Sequence, residues 1–221
     1  TLLATGHGGA HTVVWDLADS SKRFAFESTG TAVKAVAWAP DGATLYTKTS
    51  GEFGVRRHDA RSGAPLPTFG PPDSLRRMVT MHDGSLLAIG IAPTNSLWSL
   101  DPTTETSTDI SGCEAIEWLD ADISPDARSA VLIGLHGEVG RVLGDACTPV
   151  VRGLDAFRGA IADDGETLVL ASEFAVSRVL GEQVAWRSPA AGVRDVAVSS
   201  DGRFAAVGSL DHTARILDMH A

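Results

Sequence analysis

The chain alternates short apolar runs with compact polar punctuation, and the punctuation repeats. Five turn signals recur: Pro40-Asp41-Gly42, His82-Asp83-Gly84, Pro125-Asp126-Ala127, Asp163-Asp164-Gly165 and Ser200-Asp201-Gly202. Their aspartates stand 42, 43, 38 and 37 residues apart. Asp followed by Gly suits a tight turn, because the carboxylate bonds its own downstream backbone and glycine accepts φ > 0. An apolar segment precedes each turn, at 33–38, 75–79, 118–123, 157–161 and 193–198, and another follows, at 44–47, 86–89, 130–133, 168–171 and 204–207. The second runs are apolar nearly throughout, as in a strand buried on both faces. A third segment follows at 13–16, 55–59, 97–101, 139–143, 176–180 and 214–218, and loosely polar stretches such as 22–27 read as outer strands. No stretch of helical length carries a 3.6-residue apolar period.

Four strands in about forty residues is the spacing of a propeller blade. One such sheet cannot bury both its faces, and stacking sheets buries them. The expected fold is all-β, a β-propeller with five to six blades present. The units run 1–30 (partial), 31–72, 73–112, 113–154, 155–191 and 192–221 (partial). The first unit lacks its inner strand and the last ends after its third. A ring of six blades needs about 240 residues and one of seven about 280, so a seven-bladed parent is expected, with the remaining part of the parent chain completing the ring.

The 221 residues carry 18 basic and 28 acidic side chains, a net charge of −10. That balance repels phosphates, so neither nucleic acid nor an anionic membrane is an expected partner. The apolar runs fall far short of the ~20 residues of a bilayer helix, and Thr1 does not open a secretory leader. Five acids (Glu114, Glu117, Asp120, Asp122 and Asp126) fall within thirteen residues without a base; a solvated face is the ordinary meaning of such a run. Cys113 precedes an inner strand and Cys147 follows a third strand, which places them on opposite faces. Free thiols, a reducing compartment and a cytoplasmic location are therefore expected.

Gly208-Ser209-Leu210-Asp211-His212-Thr213-Ala214-Arg215-Ile216-Leu217-Asp218 resembles the end of a WD repeat. Trp15-Asp16 is the dipeptide that names that family, and Val36-Ala37-Trp38-Ala39-Pro40-Asp41-Gly42 is similar to its first strand and turn. The resemblance implies a rigid, non-enzymatic scaffold, sensor or docking module that binds a protein or peptide on its rim or central opening. It also implies a contact position just inside each inner strand, which here holds Lys34, Arg76, Leu119, Phe157 and Arg194. Lys34, Arg76 and Arg194 would steer an acidic or mixed-charge partner, and Phe157 would anchor it. The turns holding His136, Phe174 and His212 would border the same rim.

Chemistry is sparse. There is no nucleophile elbow and no phosphate loop, and Gly6-His7-Gly8-Gly9 lacks a helix to hold phosphate. His7 and His11 read as turn histidines, since a tight metal site needs three or four converging ligands. No cofactor, metal or catalytic residue is expected. The alternative is a propeller enzyme of hydrolase or lactonase type, with Asp120, Asp122 and Asp195 in the central channel. Trp38, Trp98, Trp118 and Phe157 read as core, and Trp186 is the tryptophan expected to be exposed.

Overall fold

A computed structural model describes residues 1–70, 75–90, 96–113, 116–124, 126–144 and 146–220; the side chain of Arg76, with Glu114 and Pro125, lies outside the described residues. The described residues form six antiparallel sheets and no helix. The first sheet holds β1 (Leu2–Gly6), β2 (His11–Asp16) and β3 (Ser21–Glu27). The second holds β4 (Val33–Trp38), β5 (Thr44–Thr49), β6 (Val55–Asp59) and β7 (Pro65–Phe69); the third holds β8 (Leu75–Thr80), β9 (Leu86–Gly90), β10 (Leu97–Asp101) and β11 (Thr106–Asp109). Next come β12 (Trp118–Ile123), β13 (Ser129–Gly134), β14 (Val139–Leu143) and β15 (Ala146–Val151), then β16 (Arg158–Ile161), β17 (Thr167–Ala171), β18 (Ala175–Leu180) and β19 (Gln183–Pro189). The last sheet is β20 (Val193–Val198), β21 (Phe204–Ser209) and β22 (Ala214–Asp218). Strand order follows the chain in every sheet. These are blade sheets of the β-propeller class, three strands in the first and last and four in the rest.

The turns form as the sequence chemistry dictates. Asp41, Asp83, Asp126, Asp164 and Asp201 each accept, through Oδ1, the N–H two residues downstream at 2.8–3.0 Å. The next residue takes positive φ in all five, and it is glycine in four; at the fifth, Ala127 is held at φ 56°.

The chain divides into two compact units, residues 1–94 with 98–108 and residues 95–97 with 109–221. In the first unit, β4 contributes Ala35 and Ala37 to a core with Tyr46, Val55, Leu75, Met78, Leu86 and Trp98. Arg57 on β6 reaches the next sheet, donating to the Pro102 carbonyl at 3.0 Å and pairing with Glu105. His58, the counterpart of Trp15 ahead of its closing Asp, is buried and stacks on Phe26 of the first sheet at 3.7 Å between centroids. Burial, aided by the Arg56 charge, pushes this imidazole below its ordinary range.

In the second unit, two cores lie between successive sheets. One joins Val131 and Ile133 to Ile161, Leu168 and Leu170; the other joins Ala160, Val169 and Val176 to Val193, Val196 and Val207. The second strands β9, β13 and β17 are buried at every residue. β21 departs from this pattern: Ala205 and Val207 are buried, but Phe204 and Ala206 are exposed, and Ile216, paired with Ala206, is 70% exposed. This sheet packs one face on β16 and β17.

The cysteines correct an expectation. Cys113 and Cys147 form a disulfide with Cα atoms 5.5 Å apart. The four residues between Cys113 and β12 leave enough chain for Cys113 to lie beside the outer strand. Ser111 bridges Ala146 in parallel, and the Cys147 N–H donates to the Ser111 carbonyl at 2.9 Å. Gly140 leaves room for the bond, since a Cβ there would stand 3.0 Å from the Cys147 sulfur and 2.9 Å from Trp118. The thiol argument for a reducing compartment therefore falls away. Trp186, expected to be exposed, is half-buried against the Val169–Val193 core.

Three outcomes follow from these contacts. Ala127→Gly should raise stability by about 1 kcal/mol, because it relieves a left-handed alanine while keeping the Asp126 turn bond; a lower urea midpoint would refute this. Thiol titration without reductant should find no free thiol, and reduction should cost the second unit roughly 4 kcal/mol for a loop of this length, read by calorimetry. The neutral His58 is favoured by folding, so its contribution is complete above about pH 6.5 and is lost as pH falls through that value towards the folded one. His58→Phe, which keeps a ring against Phe26, should flatten the dependence of the urea midpoint on pH across this range.

Candidate functional site

An antiparallel meander puts the start of each inner strand, the second-to-third turn and the loop arriving from the previous sheet on one rim. Backbone bonds knit this rim together in the second unit. The Leu135 N–H donates to the Glu117 carbonyl at 2.8 Å; Ala190 and Gly192 donate to Phe174 and Glu173, and Leu210 donates to Gly192. His136, Phe157, Phe174, Arg194 and His212 all lie along it. Phe174 is 69% exposed, and Arg194, His136 and His212 are exposed. In the first unit Lys34 is exposed at the start of β4, and Arg76 lies in β8 with its side chain outside the described residues.

Two of these residues share a cleft of about 400 Å³, lined by Leu119, Leu135, His136, Gly137, Asp155, Ala156 and Phe157. One wall is the β13–β14 turn and the other is the loop entering β16. Gly137 lets the walls meet: at φ 77°, with a Cβ it would stand 3.0 Å from the Asp155 nitrogen. Asp155 itself takes φ 49°. The Glu138 carboxylate accepts the His136 N–H at 3.0 Å and so fixes the turn. Phe157 is half-buried; it packs on the Val169–Val193 core and still lines the cleft. The core reading of Phe157 is met in part, and the same ring is left facing the cleft.

Below the rim, Asp120 is 7% exposed and lies 3.4 Å from Arg158. Arg158 also donates to the Phe157 carbonyl at 2.8 Å. Asp120 is thus a strut between β12 and β16. Asp195 is exposed and accepts the Val196 N–H. His7 and His11 are exposed and stacked at 5.8 Å. Among the described residues no three His, Cys, Asp or Glu side chains converge to hold a metal.

Counting strand positions found Leu119 and Phe157, but not Leu135, Gly137, Asp155 or Ala156. Leu135, 45% exposed just before a glycine turn, was the available signal.

Residues 183–218 match the family model of the WD domain, G-beta repeat. That segment is WD-repeat-like. No curated protein matches it. Proteins with these repeats are generally protein–protein interaction modules and typically carry out no chemistry. The matched repeat covers β19, β20, β21 and β22, the outer strand of one sheet and three strands of the next. Within the WD-repeat-like pattern, Asp211 accepts the Thr213 N–H and hydroxyl and pairs with Arg215, while the Ser209 hydroxyl donates to the Ala191 carbonyl. In the second sheet Glu52 makes the equivalent clamp. It accepts the N–H groups of Thr29 and Gly30 at 2.7 and 3.1 Å and pairs with Arg56.

Proposed function

We propose that this chain is a non-enzymatic interaction module that takes a segment of a mixed-charge partner protein on the inner-strand rim. The supporting observation is the preformed cleft at Leu119, Leu135 and Phe157, where apolar side chains stand open on a rim whose turns are held by backbone bonds. Concave sites in which apolar side chains stand beside a few fixed polar groups are what ligands and peptide side chains use. Exposed Arg194, on the same rim of the second unit, steers the approach, since rim charges act mainly on association rate. No observation favours the enzyme alternative, and Asp120 is accounted for by its pairing with Arg158.

The test is selection of a random-peptide library on the purified chain. The enriched peptides should lose about tenfold or more in affinity on Leu135→Glu, with circular dichroism unchanged. Peptides that bind wild type and Leu135→Glu equally would move the contact away from this cleft.

A further inference from the structure

The cleft also carries a charge preference, and the inference from it rests on the proposed function above. Asp155, on its lip, has no hydrogen-bond or ion-pair partner among the described residues. The nearby cation is already committed, for Arg158 faces Asp120 at 3.4 Å and the Phe157 carbonyl at 2.8 Å. Asp155 is therefore the one Asp, Glu, Lys or Arg among the described residues that line an opening walled by Leu119, Leu135 and Phe157.

We infer that the segment seated in this cleft is cationic and apolar together: a basic side chain reaching Asp155, next to an aliphatic or aromatic residue packed on Leu135 and Phe157. An acidic segment would meet the Asp155 carboxylate with no Lys or Arg among the lining residues, and like charges in a partly desolvated site oppose binding. A neutral segment would leave the Asp155 carboxylate without a partner as water is displaced. The surrounding chain favours the same sign, since residues 111–221 hold most of the acidic excess.

Asp155→Asn is the discriminating variant. Asparagine tolerates the left-handed backbone that Asp155 adopts, so the charge goes and the loop stays. Peptides from the library that depend on Leu135 should be enriched in Arg or Lys beside Leu, Ile, Phe or Trp. Their affinity should fall about threefold to tenfold on Asp155→Asn, and their salt dependence should weaken. Leu135-dependent peptides that are acidic or uncharged, or basic ones indifferent to Asp155→Asn, overturn this inference and leave the binding site standing. The absence of any Leu135-dependent peptide overturns the site itself.

Discussion

Strands β9, β13 and β17 have no solvent side, because every residue in each is buried. A single sheet can cover its second strand from neither face, so each such strand demands another sheet against it. The cores between sheets follow from this demand, with Val131 and Ile133 meeting Ile161 and Leu170, and Val169 meeting Val193 and Val207. At about 25 cal/mol per Å² of apolar surface, it is packing between sheets that outweighs the entropy of ordering so many short strands. The polar ties are secondary but directional. Arg57 and Arg141 occupy the same position in their third strands, and each donates to a backbone carbonyl of the following sheet, at Pro102 and Gly165.

Much of this was legible because turn chemistry is local. An aspartate that bonds the N–H two residues on, followed by a residue at positive φ, is a short-range device, and it recurs at Asp41, Asp83, Asp126, Asp164 and Asp201. Strands framed by such turns could be placed within a residue or two. What failed was long-range. The disulfide was missed because strand order fixes where β12 and β15 lie but not where Cys113, outside any strand, comes to rest. Burial along β21 was overestimated for a similar reason, since an apolar run reports that a face could be covered, not that it is. Trp186 was misplaced because an outer strand can still turn one ring inward onto a neighbouring core.

The candidate site shows the same division. The repeat frame found the positions of Leu119 and Phe157, since each stands at a fixed distance from a turn aspartate. The opposite wall depends on a close approach of two loops, made possible by Gly137 and by the left-handed backbone of Asp155. Neither residue belongs to the apolar pattern, so no periodicity points to them. The site is a junction between repeats, and junctions are where a repeat sequence says least.

The matched repeat begins in the outer strand of one sheet and ends in the third strand of the next. A segment cut in that phase is a stitch between sheets and not a tile. Removing one whole stitch leaves three strands of the earlier sheet followed directly by the outer strand of a later one, and these four again make a full antiparallel set. Genetic gain or loss of material in this phase can therefore alter the number of sheets without leaving a raw edge. The burden of such a change falls on the hybrid sheet, whose outer strand must pack beside a third strand it has not met before.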